Sequence, residues 1–177
     1  MMDLGLIHIY CGNGKGKTTA AMGLGMRAAG RGKKVLLTQF LKDNNTGELI
    51  SIDKIGENFQ VVKGEPVKRF FKFMTEDEQK HTKLEHEKRF KDVTLKAIEE
   101  NVDVLILDEI IAATNLELVS LKSVIEFLKN KPEGLEVVLT GRNPNEKLIG
   151  LADYVSEIQA IKHPYEEGIN SRIGIEK

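Results

Sequence analysis

Directly behind the apolar stretch Leu6-Ile7-His8-Ile9-Tyr10 stands the run Gly12-Asn13-Gly14-Lys15-Gly16-Lys17-Thr18-Thr19, and helix-forming Ala20-Ala21-Met22 follows it. A strand that ends in a glycine-rich turn and opens a helix aims several backbone N–H groups and the positive end of the helix dipole at one point, where an anion is stabilised. Lys17 adds a full positive charge for the outer phosphates, and the Thr18 hydroxyl offers an oxygen to Mg²⁺. The glycines leave the backbone bare enough for phosphate to approach. Counting back from Gly16 puts Cys11 at the first position of the phosphate-loop pattern G-x-x-x-x-G-K-[ST], so the loop is a variant. A dinucleotide fingerprint anchored on Gly12 and Gly14 fails, because it needs glycine where Lys17 stands.

A second half of a nucleotide site follows downstream. Val104-Leu105-Ile106-Leu107 runs straight into Asp108-Glu109, an apolar strand that delivers two carboxylates at its carboxyl end, as a Walker B element does. In a phosphate-loop fold that strand end faces the loop, where a carboxylate holds Mg²⁺ directly or through water. Another apolar run, Val137-Val138-Leu139, leads into Thr140-Gly141-Arg142. Arg142 there either pairs with phosphate and offsets charge on a leaving group, or forms an ordinary ion pair with a residue such as Asp153.

Strands and helices alternate along the chain. Expected strands are Leu6 to Tyr10, Val35 to Phe40, Phe59 to Val62, Val102 to Leu107, Leu135 to Thr140 and Tyr154 to Ile161. Several are apolar on both faces, the signature of strands buried between two helix layers. Lys17 to Ala29 reads as the helix behind the loop, with Gly23 and Gly25 allowing close approach to the sheet. Leu118, Leu121, Ile125 and Leu128 mark an amphipathic helix ended by Lys131-Pro132-Glu133-Gly134. A longer helix runs from Glu76 to Glu100. It has Phe90, Val93, Ala97 and Ile98 on one face and a polar, solvated first half. The alternation predicts an α/β fold of the P-loop NTPase, RecA-like type. This is a three-layer sandwich with a mostly parallel central sheet and its ligand at the carboxyl ends of the strands.

With 41% apolar residues over 177 positions, the chain suits one domain, 1–177, with a real core. The 26 basic and 27 acidic residues are interspersed and leave a net charge of −1, so no global field favours nucleic acid or an anionic membrane. The N-terminus resembles neither a signal peptide nor a targeting helix, and no apolar stretch approaches a bilayer span. A cytoplasmic protein is expected. One cysteine excludes an internal disulfide and a multi-cysteine zinc site. Cys11 reads as a small buried side chain at the strand-to-loop junction, with a redox thiol as the alternative. His8, His81, His86 and His163 lack zinc-like spacing and read as packing or surface residues.

The loop from Gly12 to Ala21, together with Gln39-Phe40-Leu41-Lys42, Leu107-Asp108-Glu109, Leu139-Thr140-Gly141-Arg142, the tail Lys162-His163-Pro164-Tyr165-Glu166-Glu167-Gly168-Ile169 and the closing Gly174-Ile175-Glu176, resembles the ATP:corrinoid adenosyltransferases of the P-loop, cobalamin-biosynthesis type. The blocks occur in that family's order and span nearly the whole chain. The resemblance implies that a corrinoid reduced to Co(I) attacks the 5′ carbon of ATP and releases triphosphate, so that the corrinoid is its own nucleophile. It also accounts for the modified loop, which in the family binds ATP in reversed orientation.

Carried onto this chain, the resemblance implies Lys17, Glu109 and Arg142 as catalytic residues. Triphosphate contacts fall to Gly14, Lys15, Gly16, Lys17, Thr18 and Thr19, with Gly12, Asn13 and Arg27 as further nucleotide-binding residues. Thr18 and Glu109 would hold Mg²⁺ or Mn²⁺, and Asp108 would orient the metal's water shell. The family's F-x-W pair, which excludes the lower axial ligand of the corrinoid, has its counterpart in Phe71-Lys72-Phe73. The chain has no tryptophan, Phe70 adds a second possible register, and plain core packing is the alternative. A homodimer and a reduced flavodoxin-like electron donor are further implications. The residues alone leave open a P-loop phosphotransferase or ATPase, and a non-catalytic nucleotide-controlled corrinoid carrier.

Overall fold

A computed structural model describes residues 4–67 and 69–176. Six strands, β1 (Ile7–Cys11), β2 (Val35–Gln39), β3 (Phe59–Val62), β4 (Val104–Asp108), β5 (Glu136–Thr140) and β6 (Tyr154–Glu157), form one parallel sheet in the order β3-β2-β4-β5-β1-β6. The helices are α1 (Lys17–Ala29), α2 (Gly47–Ile52), α3 (Glu76–Glu99), α4 (Ile110–Asn115), α5 (Leu121–Asn130) and α6 (Glu146–Ile149). Short 3-10 turns cover Phe71–Phe73 and Pro164–Glu167. This is the expected α/β sandwich with a parallel sheet at its centre.

The strands lack polar alternation because both faces of the sheet are covered. In β4, Leu105 and Leu107 enter a core layer with Phe90 and Val93 of α3, whereas Val104 and Ile106 enter the opposite layer with Ala21 and Met22 of α1. Each fully buried side chain of this kind contributes roughly 2 kcal/mol. Because α1 starts directly after the glycine turn and packs across β1, β5 and β4, the turn is fixed at the carboxyl edge of the sheet. In the same edge, β5 separates β1 from β4, so the end of β5 lies between the loop and the β4 carboxylates.

Gly25 is where α1 comes closest to the sheet: a Cβ there would lie 2.8 Å from the Phe59 ring and 2.9 Å from Ile106 Cδ1. Gly23 instead faces open space, so the close approach expected of both glycines belongs to Gly25 alone. Sheet pairing also corrects the last strand. β6 follows β1 only as far as the Cys11–Glu157 pair, because β1 then turns away at Gly12 and leaves the residues up to Ile161 without a partner strand. Leu118 is buried ahead of α5, whose start is set by Ser120 accepting from the Ser123 amide at 3.3 Å. The short helices α2, α4 and α6 are too brief to show a helical period in the sequence.

α3 begins with a capping box. Thr75 accepts from the Glu78 amide at 3.3 Å and the Glu78 carboxylate accepts from the Thr75 amide at 2.7 Å. Its polar first half projects from the sheet, and only from His86 onward does the helix enter the core. Ile98, expected on the apolar face, is 44% exposed. Among the described residues no helix is long and apolar enough to cross a membrane.

Candidate active site

The loop between β1 and α1 is built on two glycines in the left-handed region, Gly12 at φ 96° and Gly16 at φ 118°, where L side chains are strained. Gly16 caps α1, and the first intrahelical bond runs from the Ala20 amide to the Gly16 carbonyl at 2.8 Å. The amides of the first turn, Lys17 to Thr19, therefore have no helical acceptor and point out of the helix end. Behind the loop, the Gly14 amide donates to Ile158 O at 2.7 Å, and a Cβ on Gly14 would meet the same oxygen. The segment leaving β6 thus braces the loop from the rear.

Asp108, at the end of β4, is fully buried and accepts three side-chain hydrogen bonds. Thr18 donates to Oδ1 at 2.9 Å, Thr140 donates to Oδ1 at 2.7 Å and Gln39 Nε2 donates to Oδ2 at 2.9 Å. With its hydrogen given to Asp108, the Thr18 oxygen keeps its lone pairs for the cavity side. Thr140 also accepts from the Glu109 amide at 2.8 Å and so fixes the left-handed turn at Glu109, φ 60°. Burial, and then the neighbouring Asp108 charge, push the Glu109 carboxyl above the usual carboxylate range.

Of these groups Thr18, Gln39 and Glu109 open onto a cavity of about 300 Å³. Its walls are the loop from Asn13 to Thr19, Gln39 and Lys42 beyond β2, Thr46 and Glu48 around the start of α2, then Glu109, Arg142, His163, Ile175 and Glu176. Lys17 is buried and donates to the Gly14 carbonyl at 2.8 Å; burial, followed by the nearby Arg142, lowers its pKa. Lys15, Lys17, Lys42 and Arg142 make one wall strongly cationic, as a polyphosphate site requires.

Most of the expected site residues converge here, and some do not. Asn13, Gly14, Lys15, Gly16, Lys17, Thr18, Thr19, Glu109 and Arg142 all line the cavity. Arg142 does so while the Asp153 carboxylate is engaged by the Ile7 amide at 2.8 Å. Gly12 lies behind the loop, where a Cβ would run into Ile158 O at 2.5 Å; its part is to make the turn. Asp108 is sealed beneath the floor and acts through Thr18. Arg27 is not in the phosphate cavity: it lines a separate one with Leu24, Arg31, Asp103 and Glu136, because ten residues of α1 carry it away from Lys17. Cys11 is a buried member of the core, with its thiol pKa raised by burial.

The aromatic turn borders a second cavity, of about 780 Å³, lined by Leu41, Lys42, Asp43, Val67, Arg69, Phe70, Phe71, Glu109 and Leu116. Lys42 and Glu109 belong to both cavities, which therefore meet at these two side chains. The register differs from the expected Phe71–Phe73 pair. Phe70 and Phe71 line the cavity and Phe73 does not; Phe73 packs edge-on against Phe70 at 6.5 Å between centroids, and both of these rings are exposed. In the 3-10 turn residues three apart eclipse, so the Phe73 ring comes to Phe70.

Residue-by-residue reading gave no role to Gln39, Lys42, Thr140, His163 or Glu176. Gln39 and Lys42 follow a buried strand as the carboxylates do, and the position of Thr140 at the end of β5 was the available signal. The tail had no such signal. Glu176 reaches the cavity by pairing with Lys15 at 3.1 Å and with Arg172 at 2.9 Å. Arg172 holds the Glu176 carboxyl down at about 2.

Residues 3–176 match the ATP:corrinoid adenosyltransferase family, BtuR/CobO/CobP. The chain is 33% identical over 180 residues to the corrinoid adenosyltransferase of Escherichia coli (strain K12), covering 98% of this chain and 86% of that protein. It is 35% identical over 177 residues to a corrinoid adenosyltransferase of Sinorhizobium sp, with 98% and 81% covered. To that of Pseudomonas aeruginosa it is 32% identical over 176 residues, with 98% and 84% covered. With the phosphate loop, the buried β4 carboxylate and the aromatic-rimmed cavity in the places described, the chain belongs to the ATP:corrinoid adenosyltransferase family.

Proposed function

We propose that this chain transfers the 5′-deoxyadenosyl group of ATP to the Co(I) centre of a corrinoid and releases triphosphate. The observation that carries this reading is the junction of a cationic phosphate cavity with a larger, mainly apolar cavity across Lys42 and Glu109. A phosphoryl transfer needs an acceptor at the far phosphate. Adenosyl transfer needs room for a large ring system beside the nucleotide, and the second cavity offers that room.

Co(I) supplies both electrons of the new cobalt–carbon bond, and the electron pair of the broken C5′–O bond leaves with triphosphate. The protein supplies position and charge. Lys15, Lys17, Arg142 and the first-turn amides of α1 hold the triphosphate, and Asn13 and Thr19 flank it. The Thr18 hydroxyl, oriented by Asp108, and the half-buried Glu109 carboxylate are two oxygen donors on the same wall and suit Mg²⁺ or Mn²⁺. Bound there, the ion would offset charge on the departing triphosphate. Phe70 and Phe71 line the corrin side, where with a corrinoid bound they would help to keep water from cobalt. The reading extends to one domain over 1–177, a homodimer, a cytoplasmic setting and a flavodoxin-like reductant.

The test is anaerobic incubation with Mg-ATP and chemically generated cob(I)alamin. A photolabile alkylcobalamin with one triphosphate per corrinoid supports adenosyl transfer. ADP without alkylation refutes it and assigns phosphoryl transfer, and tight retention of both ligands without product assigns a carrier.

A further inference from the structure

His86 and Arg89 lie one turn apart on α3, buried to 1% and 4% exposure, and neither lines either cavity of the site. Both are spent on backbone groups at the ends of β2 and β3 and, for His86, also of α3 itself. Arg89 Nη1 donates to Gln39 O at 2.7 Å and Nη2 donates to Glu65 O at 2.9 Å. The Leu41 amide donates to His86 Nε2 at 3.1 Å, and His86 Nδ1 donates to Thr82 O at 2.9 Å. An amide has only a hydrogen to give, so His86 is neutral with its hydrogen on Nδ1. Leu41 is thereby held at φ 57°, in the left-handed region that leucine rarely adopts.

One guanidinium thus joins the carboxyl end of β2, where the first loop begins, to the loop that leaves β3. The loops are also tied to each other: the Val67 amide donates to Lys42 O at 2.9 Å, and Asn44 Nδ2 donates to Gly64 O at 2.7 Å. Gly64 lies flat on the guanidinium, and any Cβ at that position would overlap it. The first loop carries Gln39 and Lys42 into the phosphate cavity. The second leads to Val67 and Phe71 on the apolar cavity.

We propose that Arg89 and His86 are positioning residues that lock the two substrate-facing loops into one body, so that the nucleotide half and the corrinoid half of the site keep a fixed register. The identity of the two substrates rests on the adenosyltransferase reading; the locking itself does not. Lysine cannot replace Arg89, because one ammonium lacks the planar fork that reaches two carbonyls in fixed directions.

The experiment compares backbone hydrogen exchange and steady-state kinetics, with Mg-ATP and prereduced cob(I)alamin each varied, for the unsubstituted protein and Arg89→Lys, Gly64→Ala, His86→Ala and His86→Gln. In Arg89→Lys, residues 39–45 and 63–67 should exchange about tenfold faster together while β1 and α1 are unchanged, and KM for both substrates should rise about tenfold. Gly64→Ala displaces the same guanidinium from the other side and should reproduce that pattern, which keeps the test decisive if Arg89→Lys folds poorly. His86→Ala should loosen residues 39–45 alone, and His86→Gln, whose Oε1 can accept from Leu41, should restore them.

Unchanged exchange in both loops, or acceleration spread evenly over the molecule with kcat lowered and KM constant, overturns the proposal. If the unsubstituted protein makes no adenosylcobalamin, the functional reading fails while the exchange pattern and the nucleotide Kd still decide the clamp.

Discussion

Thr18 donates its hydroxyl to Asp108 Oδ1 at 2.9 Å, a bond that joins the first turn of α1 to the end of β4 across the intervening β5. Removing the hydroxyl at constant shape, in Thr18→Val, should lower kcat/KM at least about a hundredfold, whereas Thr18→Ser should stay within about tenfold. Asp108→Ala strands the Thr18, Thr140 and Gln39 donors and should cost about 3 kcal/mol in denaturant unfolding. Asp108→Asn should cost less, because Gln39 can turn its amide and present the Oε1 that has no partner among the described residues. Equal losses for Asn and Ala would contradict this account.

The pH profile of kcat/KM should be bell-shaped. Burial and Asp108 raise the Glu109 pKa, so activity should climb with pH through a limb above the ordinary carboxylate range as Glu109 ionises. Burial and Arg142 lower the Lys17 pKa, so activity should fall on the alkaline side before an ordinary lysine would titrate. Glu109→Gln should remove the acid limb and leave the alkaline one, and rate measurements with prereduced corrinoid across pH would check this.

Stability should carry its own pH signature. The His86 pKa is lowered to about 4 by burial and then by Arg89, the neighbouring cation one turn away. Between there and its unfolded value near ~6.5 the unfolded chain binds the extra proton, so stability rises with pH across this window. The penalty is absent above the window and reaches about 3 kcal/mol below it. His86→Gln should flatten that part of a Tm-versus-pH curve.

The two helix glycines make a paired test of packing. Gly25→Ala drives a methyl into Phe59 and Ile106 and should destabilise by roughly 1–3 kcal/mol. Gly23→Ala adds a methyl to open space in a helix interior and should stabilise by about 0.5–1 kcal/mol. Thermal melts of both variants with opposite signs of ΔTm are expected.

On the corrin side, Phe70→Ala and Phe71→Ala should raise the corrinoid KM more than Phe73→Ala, because only the first two line the apolar cavity. Phe71→Ala should also lower Tm, since that ring packs on the core, whereas Phe70→Ala should leave it unchanged. Comparing turnover from Co(II) with a reductant against turnover from prereduced Co(I) separates a role in reduction from one in binding. The same loss at Phe73 as at Phe70 would restore the Phe71–Phe73 register.

How far each feature was legible follows from its range in the chain. The loop, α1 and the Asp108-Glu109 strand end are local patterns, and α1 begins and ends where its sequence predicts, at Lys17 and Ala29. Asp108 could be placed at the strand end facing the phosphate loop but not beneath the floor, because its three donors come from β2, α1 and β5. His86 and Arg89 sit within a strongly polar helix, and nothing local distinguishes them from their solvated neighbours. Their burial is decided by loops about twenty to fifty positions away. Arg27 differs in the other direction: it shares the helix that opens at the loop but lies about 15 Å along it from Lys17 and lines another cavity.

The Ile158 carbonyl that braces Gly14 sits just beyond a strand whose side chains all face solvent. What the phosphate loop draws from that edge is chain path, and apart from Tyr154, whose ring stacks on His8 at 4.5 Å, the side chains of β6 are open to wide replacement. One residue inserted or deleted there would shift the acceptor by a peptide unit and reverse the direction in which the carbonyl points. That edge of the sheet should therefore tolerate substitutions freely and tolerate changes in length hardly at all.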